Sequence, residues 1–234
     1  FFAVDRKTGA EKWTQKVLAR FGSTVAAAGN RLHLLTQKGW LVALSTEDGK
    51  EQWKKYSGYP EEPSVVVTAD LVIVVAGKTK VVAHEASTGK AKWTYTFPKD
   101  SPGGVFSPLY AAGGRVYFLE GDVSRSQNTY TKVPERLAPD PPQVAFATAL
   151  ALDTGKVAWR ADLASLVATW VKTQAEAKKG FDQLPDEKKA ALLRVPRFTP
   201  RFAVQNDQLL IATVPADYAV CKPCGARILL LTGR

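Results

Sequence analysis

One eleven-residue pattern, written four times, constrains this chain more than anything else in it. Ala3–Trp13 reads AVDRKTGAEKW, Ala43–Trp53 reads ALSTEDGKEQW, Ala83–Trp93 reads AHEASTGKAKW and Ala149–Trp159 reads ALALDTGKVAW. Each copy has Ala first, Gly seventh and Trp eleventh. The central glycines are Gly9, Gly49, Gly89 and Gly155, so two intervals are 40 residues and the third is 66. A worn fifth copy, RILLLTGR, closes the chain with Gly233, 78 residues further on. Self-similarity at such a period marks an architecture of stacked copies, each unable to bury its apolar faces alone.

The letters have a physical reading. An apolar strand enters a polar turn, Thr-Gly or Asp-Gly, where Gly takes the positive φ that a hairpin turn with a bulge requires. A second strand leaves carrying Trp, and the small Ala leaves room for that large neighbour. Trp13, Trp53, Trp93 and Trp159 therefore read as packing residues. About midway between the motifs a second element recurs, turn residues followed by an apolar run. It reads GNRLHLL from Gly29, TADLVIVV from Thr68, GGRVYFL from Gly113 and NDQLLIA from Asn206. Each period thus holds two hairpins, the content of a four-stranded propeller blade.

At this point a family resemblance becomes specific. Ala-x-Asp-x-x-Thr-Gly-x-x-x-Trp resembles the tryptophan-docking motif of quinoprotein-type repeats, propellers named after pyrroloquinoline quinone (PQQ) dehydrogenases but shared by relatives that bind no quinone. The first copy meets it in full; the others put Ser45, Glu85 and Ala151 where it has Asp, and the second has Asp48 for Thr. The resemblance implies an all-β fold, a β-propeller of four-stranded antiparallel blades. The chain enters on the third strand of one blade and stops after the third strand of another, about four blade equivalents. Residues 1–234 read as one incomplete propeller domain of a ring that in this family has roughly seven or eight blades.

Interval lengths locate what is extra. The regular period divides into 21 residues from motif glycine to the next hairpin turn and 19 back to the next glycine, and four later intervals exceed this by 4, 22, 31 and 7. All the excess falls between a blade's second and third strands or between one blade and the next, connections that emerge on one face. The insertion 121–143, GDVSRSQNTYTKVPERLAPDPPQ, is polar and proline-rich. It reads either as a solvated loop that orders against a partner or as a preformed site. The insertion 162–197 is helical. Leu163, Leu166, Val167, Trp170 and Val171 recur at helical spacing up to Gly180, and a second short helix starts at Pro185, with Asp186 and Glu187 in its first turn and Arg194 in its last. Loops on a rigid scaffold carry function, so Tyr130, Arg136, Trp170, Lys172, Lys178 and Lys179 are the candidate partner-binding residues. Trp170 serves equally a helix docked on its own propeller, and the lysines, offset by Glu176, Asp182, Asp186 and Glu187, fit a solvated face.

Chemistry is scarce. CKPC, Cys221 to Cys224, reads as a loop-closing disulfide, as free thiols, as a redox pair or as half of a metal site. Gly225 excludes covalent haem attachment, and Pro223 before the strand ARILLL argues against a thioredoxin-like helix. Family quinoproteins carry adjacent cysteines at their active site; these are not adjacent, so that role does not transfer. His33 and His84 lie in apolar strands and read as satisfied core or edge residues. No phosphate-binding loop, serine elbow or zinc-protease helix is present. Formal charge is +10, yet no run of five like charges and no basic stripe interleaved with aromatics occurs, so no specific nucleic-acid partner is implied. Peripheral membrane association stays open. The longest apolar stretch, Val65 to Ala76, is too short to span a membrane. A chain that opens at Phe1 and contains no methionine reads as a mature or trimmed product.

Two function classes follow. The first is a non-enzymatic protein-binding scaffold within a larger envelope assembly, periplasmic or outer-membrane-associated, without a cofactor. The resemblance implies it through the family's scaffold members, such as the outer-membrane β-barrel assembly lipoprotein. The alternative is part of a quinone- or metal-dependent dehydrogenase, for which PQQ and calcium would be the cofactors. A glycan-binding propeller, with sugar-stacking Tyr110, Tyr130 or Tyr218, is a further alternative.

Overall fold

The computed structural model describes residues 1–16, 24–36, 38–59, 64–77, 79–99, 101, 104–105, 108–121, 144–163, 165, 169, 172–173, 176, 180–193, 198–205, 208–215 and 227–232. These form seventeen strands in five antiparallel sheets. The first sheet pairs β1 (Phe2–Val4) with β2 (Glu11–Thr14). The second runs in order β3 (Thr24–Ala28), β4 (Arg31–Leu35), β5 (Trp40–Ser45) and β6 (Glu51–Tyr56). The third holds β7 (Val65–Val67), β8 (Leu71–Ala76), β9 (Lys80–Glu85) and β10 (Ala91–Thr96). The fourth holds β11 (Tyr110–Ala112), β12 (Arg115–Gly121), β13 (Val144–Ala151) and β14 (Val157–Asp162). The fifth comprises β15 (Phe198–Gln205), β16 (Gln208–Pro215) and β17 (Arg227–Thr232). Strands β3, β7, β11 and β15 touch one another in turn, so they form the inner side of an arc with β6, β10 and β14 at its outer edge. This is the β-propeller architecture that the repeat requires.

Burial follows radial position. All six residues of β8 are buried, because a middle strand has a sheet against each face. Leu71, Ile73 and Val75 face the fourth sheet, where they meet Val116, Phe118 and Leu150. Val72 and Val74 face back to Leu35 and Leu41 of the second sheet. The outer strand β10 instead alternates, burying only Trp93 and Tyr95. Each such side chain contributes about 1.5–3 kcal/mol on leaving water.

The repeated turns are built alike. The amides of Gly9, Gly49, Gly89 and Gly155 donate to the carbonyls of Asp5, Ser45, Glu85 and Ala151 at 2.8–3.0 Å, and each pair of strands shifts register beside its turn. In the first two copies the side chain that starts the turn caps it. Asp5 Oδ1 accepts the Lys7 and Thr8 amides, both at 2.9 Å, which lowers its pKa. In the second copy Ser45 Oγ does the same for Glu47 and Asp48, while Lys50 bonded to Asp48 at 2.9 Å holds that carboxyl at about 2.

Candidate partner-binding face

Antiparallel order gives each sheet two unlike ends. One end carries the turns at Gly9, Gly49, Gly89 and Gly155, and there the tryptophans join sheet to sheet. Ala3, Ala43, Ala83 and Ala149 stand directly opposite Trp13, Trp53, Trp93 and Trp159. Trp13 Nε1 donates to the Thr46 carbonyl at 3.0 Å, Trp53 Nε1 to Ala86 at 3.0 Å and Trp93 Nε1 to Leu152 at 2.9 Å, each in the following sheet. Positive φ is only half of what fixes these glycines: a Cβ on Gly49, Gly89 or Gly155 would lie 2.5–2.6 Å from the indole of Trp13, Trp53 or Trp93. The turn is the floor on which the previous sheet's indole rests. Trp159 is half-buried, with its ring 6.1 Å from that of Tyr117.

The opposite end carries the long connections: 97–109 between β10 and β11, 122–143 between β12 and β13, 163–197 between β14 and β15, and 216–226 between β16 and β17. The described part of the first folds back over the seam between the third and fourth sheets. Phe97, Val105 and Leu109 are buried there, Gly121 N–H donates to the Gly104 carbonyl at 3.0 Å, and Leu109 N–H donates to Ser64 Oγ at 2.9 Å. After β14, the described residues Leu163, Ser165, Thr169, Lys172, Thr173 and Glu176 are all helical. Asp162 caps them, accepting the Ser165 amide at 2.9 Å. Leu163 is buried and the other five are exposed, the polar face of an amphipathic helix. Lys172 pairs with Glu176 one turn on, at 3.9 Å. Gly180 in the left-handed region, a 3-10 turn at Phe181–Gln183 and the helix Asp186–Leu193 follow.

Lys172 is thus exposed on a helix at this end, and Tyr110 is part-exposed on the inner strand β11. Tyr130, Arg136, Trp170, Lys178, Lys179, Tyr218, Cys221 and Cys224 lie outside the described residues. His33 corrects one expectation: it is fully buried, but among the described residues neither ring nitrogen has a hydrogen-bond partner. Desolvation, with Arg31 nearby, lowers its pKa to about 4. His84 is satisfied through Nδ1, 3.0 Å from the Gly89 carbonyl, and burial lowers its pKa too.

The structure adds two groups at the insertion-bearing end. In the fourth sheet, buried Glu120 receives the Thr148 hydroxyl and the Arg160 guanidinium, whose Nη2 lies at 2.9 Å, while Arg160 stacks on Phe146 at 3.5 Å from the ring centre. In the second sheet Trp40 and Tyr56 are exposed, as is Tyr59 just beyond β6, with its backbone beside Gly39. Trp40 meets Tyr56 edge-on with centroids 5.3 Å apart, and Lys54 Nζ sits 4.7 Å over Trp40. Trp40 falls outside the eleven-residue register, which alone does not single it out, and Glu120 and Arg160 meet across 40 residues with no local trace.

Among the described residues no three His, Cys, Asp or Glu side chains gather as metal ligands, and no helix is long and apolar enough to cross a membrane. A shallow hollow of about 380 Å³ lies at the turn end, walled by Arg31, Asp70, Glu85, Ser87 and Lys92.

Comparison with known proteins gives one family. A family model described as outer membrane protein assembly factor BamB matches residues 1–69 and 58–132. Proteins of that name from Shewanella oneidensis and Burkholderia pseudomallei are 30% identical over 116 residues and 36% identical over 93, covering 47% and 39% of this chain. A quinohemoprotein alcohol dehydrogenase, ADH IIB of Pseudomonas putida, is 31% identical over 121 residues, 42% of this chain. The matches span 29%, 24% and 18% of those relatives' own lengths. The crystal structure of BamB from Moraxella catarrhalis superposes with a TM-score of 0.54 at 11% identity, covering 92% of this chain and 54% of that one, a likeness of fold.

Proposed function

This chain belongs to the family described as outer membrane protein assembly factor BamB, a family of PQQ-like repeats, and from that premise we propose that it is a non-enzymatic, protein-binding scaffold in outer membrane protein assembly. The observation that carries the reading is the division of labour between sheet ends. One end is taken up by the indole anchors, while the strand ends from which the long connections leave all lie at the other, and loops on a rigid base are where binding usually sits. Its partners are other proteins of the assembly, and its place is the periplasmic side of the outer membrane. Loss of the gene should lower the abundance of outer membrane proteins, measured by quantitative mass spectrometry of the outer-membrane fraction. The full gene should restore them, and a copy lacking residues 122–143 and 163–197 should not. Unchanged abundance after gene loss overturns the reading.

The dehydrogenase reading draws on the similarity to ADH IIB. Calcium binding needs several convergent oxygen ligands, and the described residues bring no such carboxylate set together. Titrating the full protein with PQQ and calcium tests it: a bound quinone spectrum with turnover of an alcohol would favour the enzyme over the scaffold.

A further inference from the structure

The blades can be read against one another position by position. In the fourth sheet Glu120 stands opposite Phe146 and Thr148 opposite Arg160, and these residues share one face. The same register in the second sheet puts Thr36 beside Trp40, whose amide bonds Thr36 Oγ1 at 3.0 Å, and Val42 opposite Lys54. Trp40 therefore stands where Phe146 does, Lys54 where Arg160 does, and Thr36 where Glu120 does. Both sheets stack a cation on an aromatic ring. Only the fourth completes the arrangement with a carboxylate. In the third sheet the positions hold Ala76, Lys80 and Thr94, without the aromatic ring, so the arrangement is not a general property of the repeat.

We propose that Lys54 and Trp40, with Tyr56 and Tyr59, form a docking site for an extended acidic segment of a partner protein, whose Asp or Glu side chain takes the place that Glu120 fills in the fourth sheet. This deepens the scaffold reading and rests on it. Lys54 and its neighbour Lys55 are exposed, and Lys54 pairs with no carboxylate among the described residues. Trp40 is 39% exposed, Tyr56 61% and Tyr59 63%, residue types that anchor interfaces. The site is held in advance of binding. Thr36 N–H donates to the Trp40 carbonyl at 2.9 Å, Ser57 N–H to the Gly39 carbonyl at 2.8 Å, and any side chain on Gly39 would collide with the Gly58 carbonyl. Trp40 opens β5 and Tyr56 ends β6, so the patch lies at the sheet end from which the long connections leave.

Photo-crosslinking in the cell, with benzoylphenylalanine at position 56 or 59 of the full protein, tests this. The expected product joins the protein to a second polypeptide at a segment containing Asp or Glu. Lys54→Glu should cut its yield about tenfold, and replacing the partner's carboxylate with Lys should restore it. The thermal unfolding temperature of Lys54→Glu should fall by no more than a few degrees, the loss of one exposed cation–π contact. The site is overturned by no cross-link from either position, by a product with a second copy, a lipid or a glycan, or by a yield indifferent to Lys54→Glu. If gene loss still lowers outer membrane proteins, that result sinks the site alone; if it does not, the scaffold reading falls with it.

Discussion

The seam between the third and fourth sheets and the seam between the second and third are made from the same repeat and are filled differently. Both have the anchor: Trp93 over Gly155 in one, Trp53 over Gly89 in the other. Beyond the anchor, the third-to-fourth seam packs Tyr95, Phe97 and Phe118 into a ring cluster with centroids 5.5–6.0 Å apart, closed by Val105 and Leu109 from the inserted connection. The second-to-third seam has no such cluster among the described residues. In the register where the third sheet buries Ile73 it buries His33, tilted against Trp53 at 5.5 Å. The repeat specifies the joint and leaves the filling free, so stability along the arc is uneven.

The largest test deletes one anchor from each seam. Trp93→Ala should cost about 3–5 kcal/mol, and Trp53→Ala, whose indole is only half-buried, should fall at or below the low end of that range. Urea unfolding of the two variants measures both. Equal or reversed costs would break the comparison, because they would mean that filling adds nothing to an anchor.

A smaller effect isolates the anchors from the filling. Gly89→Ala and Gly155→Ala each force a left-handed residue and push a methyl group into an indole, together about 2–4 kcal/mol. Gly29 is also at positive φ, but a Cβ there would meet nothing within 4 Å, so Gly29→Ala should show only the backbone cost of about 1–2 kcal/mol. Thermal melts of the three variants should place the first two together and the third apart. A separation between Gly89→Ala and Gly155→Ala would locate the difference between seams in the turns themselves.

That contrast also marks how far the sequence could be read. The propeller was legible because Ala, Gly and Trp recur at fixed offsets, and fixed offsets in a stacked architecture report local geometry: a bulged turn, a strand, a large side chain opposite a small one. The contact of Gly49, Gly89 and Gly155 with the preceding sheet's indole was not, since Trp53 and Gly89 meet only after both sheets are formed. Glu120 and Arg160 are likewise joined across two strands and a long connection. Trp40 falls outside the eleven-residue pattern, which alone does not single it out, and its cation and its missing carboxylate emerge only when blades are aligned in space. His33 reads from its apolar strand as an ordinary core residue; nothing local reveals that its nitrogens find no partner among the described residues. Most of the candidate residues in the insertions lie outside the described part, and the insertions fall outside the repeat, so the sequence offers no period by which to place them.

The smallest effect bears on that histidine, and it has a definite sign. With a native pKa of about 4 against an ordinary 6.5, His33 stays neutral in the fold while the unfolded chain takes up a proton as pH falls below 6.5. Its contribution is therefore fully present above pH 6.5 and is lost progressively down to about pH 4. By pH 5 the loss should be on the order of 1–2 kcal/mol. His84, also shifted downward, adds in the same direction. His33→Ile, which copies the third sheet, should stabilise the protein by about 1 kcal/mol near neutrality by removing unpaired buried nitrogens, and should flatten most of the slope, leaving the part due to His84. Urea midpoints at pH 5 and pH 7.5 for the two proteins read both effects. A variant that unfolds with undiminished pH dependence would place the proton-sensitive group elsewhere, and the two seams would then differ in aromatic filling alone.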